Sequence, residues 1–258
     1  MCPSYIPQQS CMTMTTNEQI DSISNDIASQ IEQLSREWIN LNKDLDFGKV
    51  ILYNGKVISL LNFQPQDFDP EHCFNILPHI NRYNGNSYIQ FDVGKHSLLC
   101  YKLARLFYPE YRQIQLACLT HDYSEGVTGD CISPIKHLPI MSPFRLIENS
   151  IEEVIQKVLN LNFDEIILNY RDSESHKSLG EYVKLIDKLS MSIEVRNLNK
   201  YGKIEKRKNY IFSFVEIKKI FKQHFAEYSD SLIDDLLNLT PTRTEVKLRN
   251  TFTELTEK

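Results

Sequence analysis

A chain of 258 residues, 41% hydrophobic and 24% charged, is long enough to bury a substantial core and has the balance of an ordinary globular protein. Its net charge of -5 at pH 7 and pI near 5.8 give no electrostatic reason to expect polymeric nucleic acid or an anionic membrane as a partner. The six cysteines (Cys2, Cys11, Cys73, Cys100, Cys118 and Cys131) form no CxxC pair, the N-terminus lacks a basic region followed by an apolar run, and no apolar stretch reaches bilayer length. A reducing, cytoplasmic setting is expected.

Residues 1 to about 15 read as a polar tail. From Thr16, with Gln19 three residues on as in a capping box, Ile20, Ile23, Ile27, Ile31, Leu34, Trp38 and Leu41 recur at spacings of three and four. This seam fits a helix packed on its own domain or one paired with another chain, as in a homo-oligomer. In KVILYNGKVISLL, two β-rich runs flank Asn54-Gly55 and predict a hairpin with a type I′ turn. A short helix is expected over Pro70–Pro78. His96 heads a helix with Leu99, Cys100, Leu103, Leu106 and Phe107 inward, ended by Pro109.

A helix from about Glu110 carries Ile114, Ala117, Cys118 and His121, and a loop follows from Gly126 to Pro139. Helices are predicted from Ser142-Pro143 through Val158, and from Ser178 to Leu198 with Tyr182, Val183, Ile186, Leu189, Ser190 and Ile193 inward. Tyr201–Lys208 is a basic loop, with helical patterns beyond it near Ser213–Tyr228 and Ser231–Leu239. The expected architecture is mostly α with one small hairpin. It divides into a tail and amphipathic helix (1–45), a main domain (46–200) and a helical C-terminal extension (201–258).

The stretch THDYSEGVTGDCISPIK, Thr120 to Lys136, concentrates the reactive side chains. Glu125 lies three residues beyond Asp122 and four beyond His121, so on a helix all three share a side. Two carboxylates and an imidazole next to an apolar face need a counter-charge if buried, and a divalent cation supplies one. The alternative is a solvated acidic helix end. Asp187 interrupts an apolar helical pattern and so needs a partner, either Lys184 or Lys188 or a cation shared with His96, His121 and Asp122. Two imidazoles and two carboxylates suit Mn, Co, Fe, Zn or Mg without choosing among them.

In that order on successive helices, His96, His121-Asp122 and Asp187 resemble the H…HD…D set of the HD-domain phosphohydrolases. HDYSEGVTGDCISPIK and INRYNGNSYIQFDVGKHS are similar to the bacterial HD-domain 5′-deoxynucleotidases and to phage enzymes that act on deoxynucleotides, including dATP triphosphohydrolases. The resemblance spans residues 48 to 200 and implies an HD-domain helical bundle in a bacterial cell or phage-infected host. It implies that His96, His121, Asp122 and Asp187 hold one divalent metal ion, and that Glu125 positions or deprotonates the attacking water. Asp130 then acts at the scissile ester, Arg82 and Lys136 hold phosphate, and Tyr83 packs on the deoxyribose.

The implied activity is metal-dependent hydrolysis of the 5′-phosphoester of a deoxynucleoside mono- or triphosphate. The alternatives are a cyclic or modified nucleotide phosphodiesterase and a non-catalytic nucleotide-binding module. Three departures from the pattern stand out. Lys95 alters the charge before His96, Tyr123 follows the doublet where a small residue is usual and is expected to reshape the pocket floor, and Tyr83 replaces a common Trp. His72, His79, His137, His176 and His224 are expected to be structural or exposed.

Overall fold

The computed structural model describes residues 17–44, 48–167, 177–198 and 231–257. The tail, Thr16, the 201–208 loop, the 213–228 pattern, His176 and His224 lie outside them. Among the described residues the fold is mostly helical, with two small antiparallel strand pairs. No described helix is long and apolar enough to cross a membrane.

Three helices form the centre. α3 (Val93–Phe107) packs against α4 (Arg112–Thr120), and both pack against α8 (Leu179–Leu198). α3 starts three residues before His96 because Asp92 caps it, its side chain accepting the backbone N–H of Lys95 at 2.8 Å. Leu99, Cys100, Leu103, Ile114, Ala117, Cys118, Ile186 and Ile193 close the core between them, each at most 1% exposed. Deleting one of the larger of these side chains typically costs about 2–5 kcal/mol. All six inward positions expected on α8 are buried.

Around this centre lie α1 (Asn17–Asn42), α2 (Pro70–Ile76) and α7 (Ser142–Val158). Residues 231–237 form α9 and Pro241–Thr256 form α10. α10 packs on α2, α3 and α4 and sends Leu248 and Leu255 into the same core. Gly94 on α3 makes that approach close, since a Cβ there would lie 2.9 Å from Thr244 Cγ2 and 3.1 Å from Leu248 Cδ1.

α1 packs on α7, with Ser35 buried and Ile31 and Ile39 half-buried. The apolar seam lies mostly on its other side: Leu34 is 64% and Leu41 83% exposed, and Ile23 and Ile27 are more than half exposed. The helix therefore docks on its own domain through a face next to the seam rather than through the seam itself.

The hairpin pairs β1 (Lys49–Ile51) with β2 (Val57–Ser59). Its turn differs from the type I′ expectation, because Gly55 has φ of 83° while Asn54 does not enter the left-handed region. The connection is a three-residue loop in which Leu52 N donates to Lys56 O and Gly55 N donates to Leu52 O. Asn54 is used elsewhere, accepting from Lys56 N and donating to Asp69. The second pair, β3 (Ile166–Ile167) with β4 (Lys177–Ser178), leads into α8.

Candidate metal centre and phosphate pocket

The site forms where the first turn of α3, the end of α4 and the middle of α8 meet. His96 is on α3, His121 caps the C-terminus of α4, Asp122 follows it, and Asp187 sits on α8. The segment before α3 returns alongside it through an Asn81–Asp92 bridge, with Arg82 N donating to Phe91 O and Val93 N to Ile80 O. This return places Arg82 and Tyr83 beside His96. It needs three consecutive left-handed residues, Tyr83, Asn84 and Gly85, with φ of 59°, 52° and 72°. The two non-glycine members each cost about 1–2 kcal/mol, strain that surrounding contacts must offset.

Four expected ligands converge. His96 Nε2 lies 3.3 Å from His121 Nε2, 3.2 Å from Asp122 Oδ2 and 3.3 Å from Asp187 Oδ1. His121 Nε2 lies 3.3 Å from Asp122 Oδ1 and 3.9 Å from Asp187 Oδ1.

The tautomers explain why this cluster suits a cation. His121 Nδ1 donates to Cys118 O at 2.9 Å, and His96 Nδ1 donates to Glu194 Oε1 at 2.6 Å. Both Nε2 atoms thus face each other and two carboxylates, and are the atoms left to hold a cation or, without one, a proton. Such a donor set fits a divalent cation of the kind bound by mixed imidazole and carboxylate ligands. Burial disfavours a charged imidazole at His121, but Asp122 and Asp187 outweigh it and raise its pKa to about 10. Burial likewise opposes ionisation of Asp122 and Asp187, and the two imidazoles overcome it and hold both well below the usual carboxylate range.

Cys100, one turn after His96, brings its Sγ to 3.6 Å from His96 Nε2. Its sulfur also belongs to a group with His96, His121 and Asp187 whose donor atoms all lie within 4.8 Å of one another. The sequence pattern marks this thiol only as a small apolar core residue; the signal for more is its i, i+4 spacing from a histidine.

Glu125 opens α5 (Glu125–Thr128), is buried, and leaves Oε2 with no hydrogen-bond partner among the described residues. Burial first, then Asp122 and Asp130, raises its pKa well above the usual range. Asp130 is half-buried and raised in the same direction, chiefly by burial. Lys136, at the end of α6 (Ser133–Lys136), pairs with the buried carboxylate of Glu148 on α7. Arg82 donates through Nε to Glu194 Oε2 at 2.9 Å, and its Nη1 lies 3.6 Å from Asp122 Oδ2. Its guanidinium lies over the Tyr83 ring, 5.4 Å from the centroid, and the Tyr83 hydroxyl donates to Glu194 Oε2 at 2.7 Å.

Two expectations about charge and shape change here. Lys95 is buried and ion-paired with Asp92 at 3.2 Å, so its charge is compensated within its own helix turn. Tyr123 does not shape the pocket floor. It points into the core and packs on Phe74 edge-on and on Phe252 stacked, with centroids 6.3 Å away in both cases. His72 is structural, accepting from Tyr53 N and bonded to Gly126 O, while His79 and His137 are exposed.

Glu194 and Glu152 are absent from the expected site. The signal for Glu194 is an acidic residue seven positions after Asp187 in the buried stripe of α8, and it is 0% exposed. Burial opposes its ionisation, and Arg82 and His96 win, lowering its pKa to about 2. Glu152 on α7 accepts from Ser124 Oγ at 3.2 Å behind the doublet.

Over 88 residues the chain is 33% identical to an uncharacterized protein of Rhodobacter capsulatus, an alignment covering 33% of this chain and 45% of that protein. The chain thus spans about half the length of that curated relative. Residues 93–237, more than half of the chain, match the family model described as 5′-deoxynucleotidase YfbR-like. The chain belongs to this family, of the HD-domain phosphohydrolase type.

Proposed function

We propose that this protein hydrolyses the 5′-phosphoester of a deoxynucleotide, with a deoxynucleoside monophosphate as its preferred substrate. The observation that carries the reading is the convergence of the His96 and His121 Nε2 atoms, 3.3 Å apart and each 3.2–3.9 Å from an oxygen of Asp122 and of Asp187, next to a buried carboxylate, Glu125, and a guanidinium, Arg82. His96, His121, Asp122 and Asp187 hold a divalent cation, which when bound supplies a Lewis acid and a water of lowered pKa.

The chain's own side chains divide the remaining work. Glu125, whose buried Oε2 has no protein partner among the described residues, orients the attacking water and takes its proton. Asp130, raised in pKa by burial, carries a proton to the departing 5′ oxygen. Arg82 faces two oxygens of one phosphate with its terminal nitrogens, a fork that a lysine does not offer. Lys136 adds a point charge on exchanging Glu148 for phosphate. Tyr83, its ring fixed by Arg82 and Glu194, packs on the sugar.

The short supply of uncompensated cations near the site among the described residues supports the monophosphate over the triphosphate. Among the described residues near the pocket, Lys95 is paired with Asp92. Arg145 donates to the backbone carbonyls of Lys136 and Leu138 at 2.6 and 2.9 Å. Glu125, Asp130, Glu148 and Glu152 make the surroundings acidic, a poor place for two further phosphate groups. Identifying the products from each deoxynucleoside mono- and triphosphate tests this. Inorganic phosphate from monophosphates supports it, and faster release of triphosphate from dNTPs contradicts the preference.

A further inference from the structure

Glu194 accepts from three side chains that belong to different parts of the reaction. Its Oε1 takes His96 Nδ1 at 2.6 Å, and its Oε2 takes Arg82 Nε at 2.9 Å and the Tyr83 hydroxyl at 2.7 Å. We propose that Glu194 is a positioning residue that couples cation binding to phosphate binding. The proposal rests on the reading above, in which His96 ligates the cation and Arg82 holds phosphate.

An ionised carboxylate only accepts hydrogen bonds. On the His96 side it therefore fixes a proton on Nδ1 and turns Nε2, the atom that would meet the cation, toward His121, Asp122 and Asp187. Outer-shell carboxylates of this kind orient a ligating imidazole and raise its basicity. On the Arg82 side it binds Nε, the nitrogen behind the fork, and leaves the two terminal nitrogens to face Asp122 and the substrate.

The second carboxylate near Arg82 is Asp122, at 3.6 Å. Asp122 is also one of the four cluster donors, and a carboxylate engaged with a cation is a weaker partner for a guanidinium. Glu194, being outside the cluster, keeps the charge of Arg82 compensated throughout, which a charge with an 11% exposed side chain requires. The hydroxyl bond from Tyr83 does the same for the backbone, helping to hold the left-handed residues that deliver Arg82.

A neutral amide at position 194 cannot satisfy this set. If its carbonyl oxygen accepts from His96, its NH2 meets Arg82 Nε, which has no lone pair; if the oxygen accepts from Arg82, the NH2 meets His96 Nδ1 and drives the ring proton onto Nε2. Because binding couplings are reciprocal, an effect of the cation on phosphate affinity implies an equal effect of phosphate on cation affinity.

The test is calorimetric titration of Mn2+ into the full chain and of inorganic phosphate with and without saturating Mn2+, for wild type and Glu194→Gln. In the variant, Mn2+ affinity falls by about 10- to 100-fold. Phosphate affinity in the Mn2+-saturated protein falls by about 10-fold or more, and the ratio of phosphate affinities with and without Mn2+ moves toward one. A purely structural role lowers the melting temperature and leaves both affinities of the folded variant unmoved, which overturns the proposal.

If Glu194→Gln does not fold, Tyr83→Phe carries the test, since it removes one bond and no charge. Several-fold weaker phosphate binding at saturating Mn2+ supports the proposal, and wild-type binding overturns it. Wild-type protein that takes up no Mn2+ overturns the functional reading as well. Wild-type protein that binds Mn2+ and hydrolyses substrate beside an unaffected Glu194→Gln overturns this inference alone.

Discussion

The Nε2 atoms of His96 and His121 face each other at 3.3 Å while the Nδ1 atom of each ring is tied down, one by Glu194 and the other by Cys118 O. Two imidazole nitrogens at this distance, with Asp122 and Asp187 beside them, form an arrangement that suits a divalent cation in place of the imidazole protons. Anything that binds the folded state alone stabilises it by mass action, by about 2.7 kcal/mol at a hundred times the dissociation constant. Adding Mn2+, Co2+ or Zn2+ to chelator-treated protein therefore raises the melting temperature by several degrees. Asp187→Ala should abolish that rise, and a rise that survives the substitution places the cation elsewhere.

Glu125→Gln separates chemistry from assembly. The amide matches the carboxylate in size but accepts no proton, so turnover falls by about 100- to 10,000-fold. The cation-induced thermal shift persists, because Glu125 is not one of the four donors. Turnover within a few-fold of wild type would remove Glu125 from the acid-base step.

Glu152 makes stability depend on pH in a defined direction. Burial first, then Glu148 and Asp122, raises its pKa from 4.5 to about 7, against Lys136 and the Ser124 hydrogen bond. Below pH 4.5 both folded and unfolded states hold the proton, and the group costs nothing. Between 4.5 and 7 the unfolded state releases a proton that the folded state keeps, so stability falls as pH rises. Above 7 the loss is complete, on the order of 3 kcal/mol. Thermal melts of Glu152→Gln should match wild type at pH 4 and exceed it by several degrees at pH 8. An equal difference at both values contradicts the assignment.

The helices were legible because their period acts locally. The apolar positions of α8 follow a 3.6-residue repeat that the core uses directly, whereas the start of α3 was placed three residues late, at His96, because Asp92 was not read as its cap. Asp187 was legible because a polar residue in an apolar stripe demands a partner, and the full set of four donors was read from its resemblance to the H…HD…D pattern. What was not legible depends on partners distant in sequence. Glu194 meets Arg82 across 112 positions, and only the fold reveals that one carboxylate serves both Arg82 and His96. Tyr123 turns to the core because Phe74 and Phe252, one far before it and one far after it in the chain, form a slot for it. On α1 the period was right but the buried face was not, since Ser35 is buried and Ile31 and Ile39 half-buried while most of the seam faces outward.

Gly94 tests how firmly α10 belongs to the core. Replacing a helical glycine with alanine gains about 0.8–1 kcal/mol of propensity. Here the new Cβ meets Thr244 and Leu248, both fully buried, at 2.9 and 3.1 Å, and overpacking of this kind costs about 1–3 kcal/mol. Gly94→Ala therefore lowers the melting temperature and loosens the amide protection of α10 first. A stabilised variant would show that α10 yields without loss.

Release of inorganic phosphate from deoxynucleoside monophosphates, with and without chelator, tests the central claim most directly. The account predicts release that requires a divalent cation, stops on chelation and returns when the cation is restored. Release that is indifferent to the chelator, or no release from any deoxynucleotide with the cation present, contradicts it.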